Sequence, residues 1–336
     1  MPARLAELEA GTFEGEAARN FEIVSDQGYR ATFTSVGARL MGLAFPDGFD
    51  IVQGPERPEE IPASDIYAGA TCGRFANRIE NGRFMLNDKE RQLGVNEPPN
   101  HLHGGAQGFH RRIWQAEIDG DALVFTLVSP NREEGYPGKL KARCTYRFDE
   151  DTLSCELEAT TRRATIVNLT NHVYWNLSGA ETVGDHVLQI SAQTYTPTDR
   201  ALIPTGHVSF VSGTNYDFRE PVLLDEALGE TGFDNNFCLE GERGALHHAA
   251  SVSAGGRQLD LFTTEPGLQF YTGNHHGPDY KGKNGATLRR FGSLALEPQN
   301  WPDAPNHENF PSAVLRPGDT YRHRIEWRFG PDSDTV

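Results

Sequence analysis

Two segments of this chain alternate apolar and polar side chains with a period of two, a pattern that fits an extended strand with one buried face. In residues 320–329, one face carries Tyr321, His323, Ile325, Trp327 and Phe329. The other face carries Arg322, Arg324, Glu326 and Arg328. Residues 153–159 alternate in the same way, with Leu153, Cys155, Leu157 and Ala159 on one face. We predict a half-buried β-strand at both places.

Weaker patterns elsewhere support an all-β fold. Strands are predicted at residues 122–129, 141–148, 186–195 and 267–273, each bounded by Gly, Pro, Asn or Asp. Helical periodicity occurs only in short pieces such as residues 223–229. With 35 glycines and 20 prolines spread over 336 residues, this pattern predicts a sandwich of mainly antiparallel strands. No linker or repeat divides the chain.

The charge balance argues against polyanionic partners. Lys and Arg number 31 against 47 Asp and Glu, a formal charge of -16, so the average surface repels nucleic-acid phosphates and anionic lipid heads. The N-terminal residues contain no apolar core of a signal peptide, and no later segment reaches the roughly 20 apolar residues of a transmembrane helix. We therefore expect a cytoplasmic protein that binds neither nucleic acid nor membranes. The sequence makes no prediction of oligomeric state.

The cysteines predict a reducing compartment. There are four, and they form no CxxC pair and are too sparse for a disulfide scaffold: Cys72, Cys144, Cys155 and Cys238. We expect free thiols. The disfavoured alternative is a bridge between Cys144 and Cys155 across a hairpin that turns at Asp149 and Glu150.

The residues suited to catalysis or ligand binding are acids, bases and amides. The chain has no GxGxxG after a strand, no phosphate-binding P-loop and no HExxH. Four segments instead place ionisable residues beside aromatic or glycine neighbours, and they supply Arg78, His103, His172 and Glu297. Residues 232–239 and 267–274 add Asp234 and Gln269 beside aromatic rings. This combination suits a sugar, whose C–H faces stack on rings while its hydroxyls need donors and acceptors.

Six segments resemble the galactose mutarotase (aldose 1-epimerase) family in content, order and spacing. They are GRFANRI, NHLHGG, TNHVYWNL, GFDNNFCL, QFYTGN and LALEPQNWPD, the last followed by NFPS. The match runs from about residue 30 to the C-terminus. It implies a single domain over residues 1–336 with the galactose mutarotase-like supersandwich fold. It also implies a cofactor-free isomerase that interconverts the α and β anomers of a free aldose such as galactose or glucose.

The resemblance further implies a role for each matched polar residue. Glu297 is expected to be the general base, His172 the general acid, and His103 its helper at the ring oxygen. The residues expected to hold sugar hydroxyls are Asn77, Arg78, Asp234 and Gln269. The loop from His275 to Arg290 has no clear counterpart, which makes it a candidate for determining sugar preference.

Several of these residues also have simpler interpretations. An isolated His172 is more often a hydrogen-bonded core histidine, and Arg78 alone is equally well a surface ion-pair partner. Glu297, in contrast, lies in an apolar stretch where an unpaired carboxylate is costly to bury, which favours a functional role. The histidines at 247–248 and 275–276 and the charged residues 132–134 are predicted to lie in solvated loops.

A metal site is the main alternative use of the histidines. His101 and His103 have the HxH spacing that can bind zinc or iron, and Glu297 would complete a two-histidine, one-carboxylate set. The resemblance gives His103 and Glu297 other roles. We therefore expect no metal and interpret His101 as a bystander.

Two other functions compete with the epimerase. A glycoside hydrolase would use Glu297 and Asp234 as its carboxylate pair, but it does not explain the histidines. A non-catalytic carbohydrate-binding module would not need Glu297 and His172 together. For the epimerase, we expect a Glu297 carboxylate brought toward neutrality by burial and a His172 imidazolium held by a nearby anion, both suited to proton transfer near pH 7.

Overall fold

The structure is a computed structural model that describes residues 3–64, 66–277 and 279–332. Its first strands in chain order are β1 Arg4–Phe13, β2 Glu16–Val24, β3 Arg30–Thr34, β4 Arg39–Ala44, β5 Val52–Gln53, β6 Thr71–Cys72, β7 Arg78–Ile79, β8 Arg83–Leu86, β9 Lys89–Gln92, β10 His101–Leu102, β11 Gln115–Asp119, β12 Ala122–Ser129, β13 Leu140–Asp149 and β14 Thr152–Thr161. The remaining strands are β15 Thr165–Ile166, β16 Thr170–Asn171, β17 Tyr174–Trp175, β18 Val187–Ile190, β19 Ala192–Thr196, β20 Ser209–Phe210, β21 Val222–Leu223, β22 Asp234–Leu239, β23 His247–Ala254, β24 Arg257–Thr263, β25 Gly267–Tyr271, β26 Leu294–Gln299, β27 Val314–Leu315 and β28 Thr320–Pro331.

Helical structure in the described residues is limited to single turns. The two α-helices are α1 Ile61–Ser64 and α2 Leu224–Ala227. Short 3₁₀ turns occur at Pro58–Glu60, Glu80–Gly82, Phe109–Arg111, Glu133–Gly135, Val183–Asp185, Lys283–Gly285 and Ala304–Asn306. Within the same residues, no helix is long and apolar enough to cross a membrane.

The strands form two large antiparallel sheets. The first has nine strands in the order β11-β12-β13-β14-β28-β24-β23-β18-β21, and the second has seven in the order β20-β19-β22-β25-β26-β17-β5. Strands β1 to β4 form a four-stranded sheet in sequence order. Four further sheets have two strands each: β7/β10, β6/β16, β15/β27 and β8/β9.

The seven-stranded sheet and the four-stranded sheet both pack on the nine-stranded sheet. Trp175 of β17 lies 6.0 Å, between ring centroids, from Trp327 of β28. Phe33 of β3 lies 4.6 Å from Tyr146 of β13. One continuous apolar cluster fills the space between the layers. The all-β antiparallel sandwich expected from the sequence is therefore confirmed.

The strongest sequence patterns correspond to central strands. Residues 320–329 and 153–159 form most of β28 and β14, and these two strands pair with Leu157 opposite His323. The apolar positions of both are buried as expected. Residues 122–129 form β12 and residues 141–148 lie within β13. The short helical pattern at 223–229 contains α2.

Residues 186–195 are not one strand, which corrects the prediction for this segment. The chain leaves the nine-stranded sheet after Ile190 and joins the seven-stranded sheet at Ala192. Between them, the backbone N–H of Ser191 donates to the oxygen of Ala249 at 2.9 Å. Because the alternation continues through a change of sheet, the sequence pattern conceals this corner of the sandwich.

The hairpin that carries Cys144 and Cys155 turns one residue later than predicted. Asp149 pairs with Thr152, which places Cys144 opposite Leu157 and Cys155 opposite Tyr146. The two sulfurs lie 3.6 Å apart, well beyond the bond length of about 2.05 Å. All four cysteines are buried free thiols, as expected.

Two of the segments predicted as solvated loops are structured or buried. His247 and His248 lie in β23, where they pair with Thr263 and Phe262 of β24. His275 is exposed, but His276 is buried. Residues 132–134 do lie at a surface turn.

Candidate active site

Three neighbouring strands of the seven-stranded sheet place polar side chains on one face. Gln269 of β25 lies directly opposite Glu297 of β26, and Asp234 begins the adjacent β22. The alternate residues Leu268 and Leu296 point to the other face and join the apolar core. The period-two pattern of LALEPQ and GLQFY thus separates a core face from a face that carries the acids and amides.

Glu297 lines a cavity of about 260 Å³ together with Asn77, Arg78, His103, His172 and Asp234. Of the seven residues predicted from the sequence, these six line the cavity. The seventh, Gln269, is bonded to one of them, since its Nε2 donates to Oδ1 of Asp234 at 2.6 Å. The structure thus brings the whole predicted set together.

His172 and Glu297 form a buried pair. Nε2 of His172 lies 3.4 Å from Oε1 of Glu297, and the two residues are 4% and 2% exposed. The backbone fixes His172, because its N–H donates to the oxygen of Ala70 and its own oxygen accepts from Gly69 N–H. Among the described residues, Nδ1 of His172 and Oε2 of Glu297 have no hydrogen-bond partner. Each member of the pair therefore retains one buried polar atom without a partner in the described chain.

His103 is held by the backbone of Asn77. The N–H of Asn77 donates to Nδ1 of His103 at 3.1 Å, and the N–H of His103 donates to the oxygen of Asn77 at 3.0 Å. Because Nδ1 accepts, a neutral His103 ring carries its proton on Nε2. The ring centroid lies 5.2 Å from that of His172.

The glycine after His103 permits a close approach of two loops. Gly104 has a φ of +88°, and a Cβ there would lie 1.7 Å from the oxygen of Gly73. Gly104 of the NHLHGG motif is therefore a steric requirement of the loop that presents His103.

Arg78 is fixed by two carboxylates. Its Nε and Nη2 donate to the two oxygens of Glu97 at 2.7 and 2.8 Å, and its Nη1 lies 3.4 Å from Oδ2 of Asp234. These charges raise the pKa of Arg78 despite the burial that opposes them. The side chain is thus an ion-pair partner and a cavity-lining cation, with its direction set by a bidentate contact.

Burial sets the protonation of the His172–Glu297 pair. Removal from water raises the pKa of Glu297 well above its ordinary value, Asp234 raises it further, and Arg78 opposes both. Burial also lowers the pKa of His172 to about 3. Burial thus disfavours the charged form of both groups. The expected imidazolium at His172 is corrected accordingly.

His103 is neutral as well. Burial lowers the pKa of His103 well below its ordinary value, and the nearby His172 and Arg78 lower it further. With Nδ1 accepting a backbone hydrogen bond, this ring presents an Nε2–H donor.

The three residues expected to move protons also form a candidate metal-binding group. The nearest ligand atoms of His103, His172 and Glu297 lie within 4.8 Å of one another. His101 is not part of this group, because Nδ1 lies 2.6 Å from the Gly94 oxygen and Nε2 lies 2.6 Å from the Tyr136 hydroxyl. The HxH spacing therefore does not form a metal site, whereas three residues distant in sequence provide the donor set.

Sequence reasoning missed several residues that line the cavity. They are Tyr67, Glu97, Tyr174, Tyr271, His276 and Tyr280. Glu97 lies within the NEPPNHLHGG segment, and the need of a buried arginine for a carboxylate partner is a signal that could have identified it. Tyr67 has a φ of +61°, which a sequence does not reveal.

Comparison with known proteins decides the family. Residues 19–328 match the family model of aldose 1-epimerases. The chain belongs to the aldose 1-epimerase family. The fold, the isomerase class and the aldose 1-epimerase function expected from the motifs are thereby confirmed.

Individual members of the aldose 1-epimerase family are similar over nearly their whole length. A galactose mutarotase of Homo sapiens is 42% identical, with 97% of each chain covered. An aldose 1-epimerase of Escherichia coli K12 is 34% identical, with 97% of this chain and 99% of the other covered. The crystal structure of an aldose epimerase homologue from C. elegans superposes with a TM-score of 0.87 at 30% identity, covering 96% of this chain and 99% of that one.

Proposed function

We propose that this cavity binds a free aldose such as galactose or glucose, and that His172 and Glu297 interconvert its anomers by opening and closing the ring. The observation that carries the proposal is the buried 3.4 Å contact between Nε2 of His172 and Oε1 of Glu297. An acid and a base that share one proton are the minimum that the reaction needs.

Ring opening leaves the number of protons on the His172–Glu297 pair unchanged. The Glu297 carboxylate takes the proton of the C1 hydroxyl, the bond from C1 to the ring oxygen breaks, and the ring oxygen takes a proton from His172. Rotation about the C1–C2 bond then exposes the other face of the aldehyde. Closure reverses both transfers, so each residue serves once as acid and once as base.

The electrostatics of the buried pair favour the proton distribution that follows ring opening. Burial raises the pKa of Glu297 and lowers that of His172, which favours a neutral carboxyl group, with its proton, beside a neutral imidazole. The reactive distribution differs only by transfer of that proton to His172, and the direct contact provides a path. His103, with its Nε2–H, donates to the ring oxygen beside His172 and stabilises the charge that develops there.

The remaining polar residues hold the sugar hydroxyls. Arg78 and Asp234 form an ion pair at the cavity wall, and Asn77 accepts the N–H of Arg78 through Oδ1 at 2.8 Å. Gln269 acts on Asp234 by donating to Oδ1. Tyrosine rings beside these groups, including Tyr174 and Tyr271, suit the C–H faces of a pyranose.

This arrangement is less suited to the glycoside hydrolase alternative. Asp234 is bonded to Arg78 and Gln269, so it lacks the freedom of a nucleophile or a base for water. The human relative is named a galactose mutarotase, which agrees with the proposed substrate class.

The proposal also covers the domain organisation, the cellular location and the partners of the enzyme. We infer that the chain acts as a single domain over residues 1–336, in the cytoplasm, without a cofactor or nucleic-acid partner. The buried free thiols suit a reducing compartment, and the charge of -16 disfavours polyanions.

Polarimetry tests the proposed function directly. The purified protein should speed the drift of freshly dissolved α-galactose or α-glucose to the equilibrium rotation, and should leave methyl galactoside unchanged because its C1 oxygen carries no proton. No acceleration with any free aldose would contradict the proposal. Hydrolysis of the glycoside would support the competing hydrolase.

A further inference from the structure

His276 lines the active-site cavity and has a buried ring nitrogen without a hydrogen-bond partner among the described residues. The residue is 6% exposed and lines the cavity. Its Nδ1 lies 3.5 Å from Oγ of Ser293, whereas Nε2 has no hydrogen-bond partner among the described residues. Because a buried polar atom without a partner is costly, this nitrogen indicates a position that a ligand atom fills.

The surrounding chain is shaped to hold the His276 ring in this place. A Cβ on Gly273 would lie 2.8 Å from Nδ1 and 3.0 Å from Cε1 of that ring, and Gly273 has a φ of +64°. Any other residue at this position would displace the imidazole. The N–H of His276 also donates to the oxygen of Gly273 at 3.0 Å, which fixes the backbone.

One tyrosine connects His276 to the proton-transfer pair. The ring of Tyr174 lies 4.8 Å from that of His172 and 4.7 Å from that of His276. The Tyr174 ring therefore lies between His276 and His172, with a ring contact to each.

The chemistry of His276 suits a neutral hydroxyl. Burial, together with a smaller effect of the neighbouring His275, lowers its pKa to about 4, so the ring is uncharged near neutral pH. An uncharged imidazole has one donor and one acceptor nitrogen. Ser293 can serve either role at Nδ1, which leaves Nε2 free to match a hydroxyl that donates or accepts.

We propose that Nε2 of His276 binds one hydroxyl of the aldose and that His276 is a specificity-determining residue of this enzyme. This inference rests on the proposed function and adds a contact in the loop from His275 to Arg290, the segment without a counterpart in the family resemblance. His276 selects among sugars by the position of that hydroxyl and takes no part in proton transfer.

The test combines a protein variant with altered sugars. His276→Leu keeps an apolar side chain of similar reach but removes both nitrogens. Anomer equilibration is measured for galactose, glucose and their monodeoxy derivatives, and KM and kcat are determined for each. The matched control is His207→Leu, since His207 is exposed and lies outside the cavity lining. His276→Gln, which retains a donor and an acceptor, tests rescue.

The inference predicts a selective and non-additive loss. One neutral hydrogen bond corresponds to about a 2- to 13-fold change in KM. In the unmodified protein, one deoxy position should raise KM by such a factor. His276→Leu should raise KM for the parent sugar similarly, with kcat little changed, and should show no further rise with that deoxy sugar. His276→Gln should recover part of the loss, and His207→Leu should lose nothing.

The possible failures are distinguishable. If the unmodified protein equilibrates sugars but His276→Leu has unaltered KM values for all of them, the inference is wrong and the proposed function stands. If His276→Leu is folded but loses activity equally on every sugar, or mainly through kcat, a specificity contact is also ruled out. If the unmodified protein accelerates no sugar, the proposed function fails and the inference fails with it.

Discussion

Nε2 of His172 lies 3.4 Å from Oε1 of Glu297, with both side chains almost fully removed from water. At this distance the two groups titrate as a unit, so an observed pKa belongs to the pair. The pair must hold a single proton to have both a base and an acid. This requirement links the geometry to the pH dependence of the rate.

We predict a broad plateau in the plot of kcat against pH. On the acid side, the pair takes a second proton at His172, whose pKa is lowered to about 3 by burial. On the alkaline side, the pair loses its proton from Glu297, whose pKa is raised well above its ordinary value. The opposite shifts of the two pKa values separate the limbs, and both limbs report the pair and not a single residue.

Initial rates in a polarimeter, taken over the pH range in which circular dichroism shows folded protein, check this prediction. An acid limb near the ordinary glutamate pKa together with an alkaline limb near the ordinary histidine pKa would contradict it.

Arg78→Ala and Asp234→Ala should weaken sugar binding more than turnover. Each removes a charged partner for a hydroxyl, and a hydrogen bond to a charged group contributes about 1.5 to 3 kcal/mol. We expect KM to rise roughly 10- to 100-fold in each variant. Glu97→Gln should raise KM less, because Arg78 keeps its contact with Asp234. Loss of turnover at saturating sugar with an unchanged KM would refute this division of roles.

The activity should not depend on a metal ion. Proton transfer between His172 and Glu297 requires none, although these residues and His103 have ligand atoms within 4.8 Å of one another. Exhaustive dialysis against a chelator should leave the rate unchanged. If the rate fell and added zinc restored it, that three-residue group would be a catalytic metal site.

Gly104→Ala should destabilise the fold far more than a matched substitution at Gly120. Both glycines have positive φ values, +88° and +62°, but a Cβ at Gly104 would lie 1.7 Å from the oxygen of Gly73, whereas nothing lies within 4 Å at Gly120. The backbone cost of about 1 to 2 kcal/mol applies to both variants, so the difference between their free energies of unfolding measures the loop contact. Equal values from urea denaturation would contradict the steric argument.

The sequence predicts strands best where one face is buried and the other solvated. β14 and β28 have this environment, and their alternation gives both their extent and their buried residues. The strand Arg4–Phe13 was missed because nine of its ten residues are exposed or half-buried in no regular order. The corner at Ser191 was missed because alternation continues through it.

The active-site residues were found through short motifs, and their environment was not. His172, Glu297 and Asp234 each lie in a segment with a recognisable pattern. The contact of Glu97 with Arg78 and the burial of His276 depend on loops that come together only in the folded chain. The protonation of His172 likewise depends on the loss of surrounding water, which no residue pattern expresses.

The rate of anomer equilibration by Glu297→Gln tests the central claim most directly. The amide keeps the shape and one hydrogen bond but cannot accept the C1 hydroxyl proton, and general base catalysis contributes typically 100- to 10,000-fold. Glu265→Gln is the matched control, since Glu265 is 1% exposed but lies outside the cavity lining. We predict that folded Glu297→Gln loses at least about 100-fold in kcat with little change in KM, while Glu265→Gln retains the unmodified rate. A folded Glu297→Gln protein that equilibrates fresh galactose and glucose at close to the unmodified rate would contradict the account.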